Sequence, residues 1–280
     1  MLAYRHAFHA GNHADVLKHV VLAEVLRYMG TKDKAFSYID THAGAGGYSL
    51  EGQYAQKRGE YHEGIERVMA AAKVPDVVER YRALVREFNG EGRLTQYPGS
   101  PAIARMCLRP QDPMRLFELH PTDCRILESY LADRKQVAVK QVDGFDALGG
   151  QLPPPSRRGV VLIDPSYELK ADYTRLVHTL RQAVKRFADG VYLVWYPRLR
   201  TLDSTQLPGR LEALAPAGWL NVQLTVQQTD ARGFGLMGSG MFVINPPYTL
   251  HDTLKDALPW MTDTLAQYDG AQYSLDHRAA

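Results

Sequence analysis

The chain has 280 residues, 45% hydrophobic and 23% charged, with a formal net charge of +2. That balance is ordinary for a soluble globular protein and suits one α/β core with room for a modest insert. Cys107 and Cys124 are too few for a disulfide framework and form no CxxC pair, which argues against zinc or thiol redox chemistry and leaves both as reduced packing residues. No apolar run is long enough to cross a bilayer and Met1 to His6 carries no apolar signal core, so the expected location is the cytoplasm.

A charge of +2 does not announce a nucleic-acid partner, because polyanion binding depends on a local basic surface. Locally, Arg5, His6, His9, His13, Lys18 and His19 stand against one acid, Asp15. That cluster reads either as a phosphate-facing arm or as an ordinary solvated helix start.

In chain order, a helical pattern over Ala14 to Met29 leads to a first strand at Phe36 to Asp40 and a glycine-containing loop. Glu51 to Thr95 then breaks the rhythm with two charged helical segments, Gly64 to Ala72 and Asp76 to Phe88, an insertion of about 45 residues. Ser100 is expected as an N-cap with Pro101 at the first helical position of a helix to Leu108. Strands follow at Leu116 to His120, Val137 to Asp143, Val160 to Asp164, Val191 to Tyr196, Val222 to Val226 and Met241 to Asn245. Helices are expected at Thr122 to Arg134, Asp172 to Phe187, Thr205 to Leu214 and Asp252 to Ala266. Strands alternating with helices imply a doubly wound parallel sheet, and the Gly-rich stretch before the seventh strand implies a closing hairpin. The expected fold is α/β, a seven-stranded mostly parallel sheet resembling the Rossmann-like class I methyltransferases. Residues 1–50 and 96–280 would form that domain, with 51–95 as a helical insertion.

The first strand ends in Asp40-Thr41-His42-Ala43-Gly44-Ala45-Gly46-Gly47. Glycines at 44 and 46 let the backbone approach a ligand at the strand edge where open α/β sheets bind nucleotides. A dinucleotide fingerprint needs a third glycine at 49, which is Ser, so a dehydrogenase reading fails. Asp40 would repel a pyrophosphate and attract a cofactor carrying an ammonium and a sulfonium. Glu118, after the second strand, suits both hydroxyls of a ribose, and Asp143, after the third, suits an adenine amine. Each acid alone also reads as a helix cap or loop charge; three at consecutive strand ends point to a cofactor site.

The fourth strand runs into Asp164-Pro165-Ser166-Tyr167. An adenine amine is a poor nucleophile because its lone pair is delocalised, so a catalyst must hold it with acceptors that localise the pair. The Asp164 carboxylate and the Pro165 carbonyl suit that task, and they stabilise the charge that develops on nitrogen. Tyr167 offers a face on which an extruded base stacks.

Asp-Pro-x-Tyr after strand four resembles the [Asp/Asn/Ser]-Pro-Pro-[Tyr/Phe/Trp] motif of adenine amino-methyltransferases. The chain as a whole resembles the ribosomal large subunit methyltransferase J family. Tyr4-Arg5-His6, Gly11 to His19, Asp40 to Gly44, Tyr97 to Pro101, Phe117 to Pro121 and Asp143-Gly144 carry that closer resemblance. It implies S-adenosylmethionine-dependent N6-methylation of one adenine in 23S ribosomal RNA, by a monomer acting on deproteinised or early-assembly RNA. It also implies that Lys18, His19, His42, Ser100, Glu118, Asp143, Gly144 and Asp164 line the cofactor pocket, Lys18 facing the methionine carboxylate as a point charge. Tyr4 and His6 would approach the target nucleotide. The sequence departs from the motif at Ser166, where a second proline is expected; the Pro165 carbonyl is kept, but the turn is looser.

Asn245-Pro246-Pro247-Tyr248 fits the motif better, yet it lies on the seventh strand with 32 residues and no cofactor loop after it. It reads as a rigid strand exit. The histidines of the arm sit at mixed spacings without cysteine partners, so no metal is expected. A DNA adenine methyltransferase shares the chemistry, but no major-groove helix or large recognition domain is evident. A silent RNA-binding assembly factor on the same fold would have no need of acids at 40, 118, 143 and 164.

Overall fold

A computed structural model describes residues 5–90, 92–133, 135–230, 232–233 and 235–279. In chain order its elements are α1 (His13–Met29), β1 (Ser37–Asp40), β2 (Gly47–Ser49), α2 (Gln53–Arg58), α3 (Ile65–Ala70), α4 (Asp76–Asn89), β3 (Gln96–Pro98), α5 (Ser100–Cys107), β4 (Met114–Phe117) and α6 (Pro121–Tyr130). They continue with β5 (Val137–Lys140), α7 (Gly144–Leu148), β6 (Gly159–Ile163), α8 (Ala171–Arg186), β7 (Val191–Arg198), α9 (Leu202–Glu212), β8 (Trp219–Thr225), β9 (Gly238–Ile244), α10 (Leu250–Leu265) and β10 (Gln272–Arg278).

The main sheet runs β10-β8-β9-β7-β6-β1-β4-β5. Pairing is parallel from β5 to β7 and antiparallel where β9 inserts between β7 and β8. The hairpin expected at the end of the sheet is the β8–β9 pair. Side chains alternate between two cores, as the two-residue period of a strand requires. Val160 and Leu162 pack with α1, α5 and α10, whereas Val161 and Ile163 pack with Leu176, Val177 and Leu180 of α8. α1 is buried around nearly its whole circumference, because the sheet covers one side and the insertion covers another. No helix among the described residues is long and apolar enough to cross a membrane.

Four expectations change. The sheet has eight strands, not seven: β10 pairs antiparallel with β8. Its sequence, Gln-Tyr-Ser-Leu-Asp-His-Arg, is polar because an edge strand needs backbone pairing rather than a buried face. The insertion has an antiparallel ribbon at its base, with Tyr48 opposite Tyr97, and an additional helix, α2. Its Tyr61, Ile65, Val68, Val78, Tyr81 and Val85 join the same apolar core as α1. Finally, Gly99 rather than Ser100 caps α5; Ser100 is its first residue, with Pro101 next. The helix expected to reach Arg134 ends at Tyr130, and Arg134 itself lies outside the described residues.

Candidate active site

The carboxyl ends of β1, β4, β5 and β6 open onto one cavity of about 430 Å³, within the range of small-molecule sites. Adjacent parallel strands bring the four loops together: Asp40 pairs with Leu116 on one side and Leu162 on the other.

The loop after β1 is shaped by glycine. Gly44 has φ +64°, and a Cβ there would meet the Tyr48 hydroxyl at 2.2 Å. Its amide donates to Glu118 Oε2 (2.7 Å), while the His120 amide donates to Oε1 (2.6 Å). Two backbone donors thus fix Glu118 with lone pairs to spare for hydroxyl groups. Burial raises its pKa above the ordinary value. At the next strand end a Cβ on Gly144 would strike the Thr41 carbonyl oxygen at 1.9 Å, so only glycine permits this approach between the loops after β1 and β5. Asp143 caps α7 through the Phe145 amide (2.9 Å) and holds Arg175 (3.0 Å).

Asp40 does not line the cavity. It is fully buried beneath the loop, where it accepts from Ser100 Oγ (2.6 Å), Tyr38 Oη (2.8 Å) and the His42 amide (3.1 Å). Burial pushes its pKa up to about 6 against the pull of those donors. The role this placement gives it is to shape the loop, in place of the direct contact with a cofactor ammonium expected from the sequence. Ser100 lines the cavity, and its hydroxyl donates to Asp40 rather than capping a helix. His42 lines the cavity edge-on to Phe145, with ring centres 4.8 Å apart, and burial lowers its pKa to about 4.

Lys18 and His19, consecutive on α1, enter the same cavity. Lys18 Nζ bridges Asp15 Oδ1 (2.8 Å) and Asp164 Oδ2 (2.6 Å), and Asp15 Oδ2 also meets His6 Nε2 (2.9 Å). Within the chain its partners are these two carboxylates. His19 Nδ1 lies 2.7 Å from the Tyr97 hydroxyl, which lies 2.8 Å from that of Tyr81. Each hydroxyl has one proton. Tyr81 has only Tyr97 as an acceptor among the described residues, so Tyr97 donates to Nδ1 and the ring proton of the neutral imidazole sits on Nε2. That nitrogen is buried and has no partner among the described residues, and burial lowers the His19 pKa to about 3.

Beyond β6, Asp164, Pro165, Ser166 and Tyr167 line the far wall of the cavity. Tyr167 has φ +53°, a left-handed conformation that is costly for a bulky residue, by about 1–3 kcal/mol. Its hydroxyl donates to the Trp195 carbonyl (2.6 Å), and its ring packs on Tyr173 and Trp195. Trp195, whose buried Nε1 has no partner among the described residues, and Pro197 and Leu199 at the end of β7 complete this wall. Sequence reasoning missed all three, because β7 carries no acid or glycine signal. Tyr4 lies outside the described residues; His6 lines the mouth. No group of three or more metal-ligating side chains occurs among the described residues.

The Asn245 motif has a different setting. β9 runs antiparallel to β7, so its carboxyl end, where the motif begins, faces the opposite edge of the sheet. Asn245 Nδ2 donates to the Ala188 and Gly190 carbonyls (2.6 and 2.8 Å), and Tyr248 is 82% exposed.

The cavity fits S-adenosylmethionine: side-chain-free backbone at Gly44 and Gly144 on its lining, an acid held for hydroxyls, and a buried imidazole N–H suited to a carboxylate. With the sheet order this defines a Rossmann-like, S-adenosylmethionine-dependent methyltransferase. Comparison with known proteins narrows the class. A family profile described as ribosomal RNA large subunit methyltransferase D, RlmJ, matches residues 33–277, and the chain belongs to that family. It is 46% identical over 266 residues to ribosomal RNA large subunit methyltransferase J of Escherichia coli K12, covering 95% of this chain and 94% of that protein. The Haemophilus influenzae protein of the same name is 45% identical over 277 residues, covering 99% and 98%. A Legionella pneumophila crystal structure superposes with a TM-score of 0.88 at 34% identity over 96% of this chain and 98% of that one.

Proposed function

We propose that this methyltransferase modifies the N6 amine of one adenine in 23S ribosomal RNA, as a cytoplasmic monomer. The name shared by its relatives supports the RNA, and the placement of Asp164-Pro165-Ser166-Tyr167 at the end of β6, beside the glycine loop, supports the amine. That placement is the observation on which the reading rests.

When bound, S-adenosylmethionine supplies an electrophilic methyl on a sulfonium. The chain supplies position and acceptors. Lys18 occupies Asp164 Oδ2, which leaves Oδ1 and the Pro165 carbonyl to accept from the amine. Two acceptors on one NH2 group draw its lone pair out of conjugation and toward the methyl, and they stabilise the positive charge as it develops. The Tyr167 ring, backed by Tyr173 and Trp195, offers the face against which an extruded base lies. His19 Nε2–H suits the carboxylate of the methionine moiety, and the free lone pairs of Glu118 suit the ribose.

Purified protein incubated with labelled S-adenosylmethionine and 23S RNA lacking its own modification should place label on adenine, recovered as N6-methyladenosine after digestion. Label on another base, or only on duplex DNA, would overturn the reading.

A further inference from the structure

The face of the insertion nearest the amino-terminal arm carries rings and cations that the cofactor site does not use. Phe8 and Tyr54 meet edge to face with centres 4.9 Å apart. The Arg5 guanidinium lies 5.5 Å from the Tyr54 ring centre, and Lys57 Nζ and the Arg58 guanidinium lie 6.0 and 5.9 Å from that of Phe8. Tyr54 is 46% exposed, and Lys57 and Arg58 are also exposed.

Four other arginines of the insertion are committed: Arg67 to Glu63, Arg80 to Glu24, and Arg82 and Arg86 to Glu79. Among the described residues, Arg5 and Lys57 have no carboxylate within ion-pair distance, and Arg58 has only Glu60 at 3.5 Å. Glu60 is itself held by His9 and Asn12. Carboxylates of the described residues therefore neutralise little of the positive charge here.

The cluster also adjoins the reaction centre. Phe8 ends the short 3-10 turn His6–Phe8; His6 lines the cavity mouth and meets Asp15, which Lys18 ties to Asp164. A strand whose base enters the cavity beside His6 has this surface within reach of its neighbouring nucleotides. Interleaved rings and cations are the composition that binds unstacked nucleotides, rings taking bases and cations taking phosphates.

We propose that this surface, built from the arm and α2, docks the single-stranded RNA flanking the target base, with Tyr54 stacking a neighbouring base and Arg5, Lys57 and Arg58 contacting phosphates. It rests on the reading of the chain as an RNA methyltransferase. It gives the insertion a role in substrate capture, distinct from cofactor binding.

The test compares wild type with Tyr54→Ala and with the double variant Lys57→Glu/Arg58→Glu, using methyl transfer to unmodified 23S RNA and calorimetric binding of S-adenosylmethionine. Tyr54→Ala should raise KM for RNA about tenfold, the loss of one base stack. The double variant should raise it further at low salt and flatten the slope of log affinity against log salt by about 1.4, two phosphate contacts on a single strand. Cofactor affinity should hold in both, which also verifies their fold. If wild type transfers no methyl to RNA, the function itself is refuted. If wild type is active and both variants keep its KM and salt slope, this surface is not the dock. Loss confined to RNA already carrying ribosomal proteins would assign the surface to a protein partner and overturn the proposal equally.

Discussion

Replacing Lys18 by Met probes the centre of the site without changing its volume. The ammonium lies 2.8 Å from Asp15 and 2.6 Å from Asp164, with 6% of the side chain exposed. Burial works against its charge, but the two carboxylates outweigh that and hold its pKa well above the ordinary lysine value. Burial likewise works to raise Asp15, while His6 and Lys18 outweigh it and hold that carboxyl well below its ordinary range. Removing one partner of a buried pair costs about 3–5 kcal/mol. Asp15 keeps His6 and the Gly11 amide (2.9 Å), so the lower end applies, about 3 kcal/mol. In a chain of this size that lowers Tm by about 6–12 °C. The sign with pH follows from both shifts. The depressed Asp15 contributes stability that is complete above about pH 3.9 and lost as pH falls through its folded pKa; the raised Lys18 contributes stability complete below about pH 10.4 and lost as pH rises through its own. The deficit of Lys18→Met should therefore be flat from about pH 5 to 9. Thermal unfolding of wild type, Lys18→Met, Asp15→Asn and the double variant measures it. The double variant should recover a coupling of about 1–3 kcal/mol. A deficit below about 1 kcal/mol, or simple additivity, would refute the bridge.

Gly144→Ala forces a Cβ within 1.9 Å of the Thr41 carbonyl oxygen, so the loops must part; stability should fall by about 1–3 kcal/mol in a melting experiment, with cofactor affinity reduced at least about tenfold by calorimetry. Tyr97→Phe removes the donor that sets the His19 tautomer, which should appear as a mixed Nδ1/Nε2 pattern in nitrogen NMR of the imidazole and a loss of cofactor affinity of about fivefold. A single Nε2–H tautomer in that variant would rule out the relay. Asp40, with its pKa pushed up to about 6 by burial, binds a proton in the folded protein before it does so unfolded. Wild type should therefore gain stability relative to Asp40→Asn as pH falls from 7 through 6, and a pH-independent difference between the two would contradict that assignment.

The sheet was legible where burial writes a pattern. Val160 to Ile163, covered on both faces, is a continuous apolar run, and its register beside β1 follows from the alternation of strands and helices. β10 was illegible for the complementary reason, since a solvated edge strand needs no apolar residues. The acids at 118 and 143 were found because a charge directly after an apolar strand stands out. What each one touches is a tertiary matter: Asp40 and Ser100 were both marked, but nothing in either segment says that the serine hydroxyl faces the carboxylate across 60 positions. The His19, Tyr97 and Tyr81 relay joins three distant segments for the same reason. The choice between the two Pro-Tyr motifs is a question of place, on which strand direction bears, because an antiparallel β9 carries Asn245 away from the cavity.

The central claim is that Asp164 to Tyr167, and not Asn245 to Tyr248, holds the reacting amine. Methyl transfer to 23S RNA by Asp164→Asn and by Tyr248→Ala, each first shown to bind S-adenosylmethionine, measures it directly. Asp164→Asn should lose about 100–1000-fold in rate through the missing carboxylate acceptor, and Tyr248→Ala should match wild type. Normal transfer by Asp164→Asn with loss in Tyr248→Ala would contradict the account.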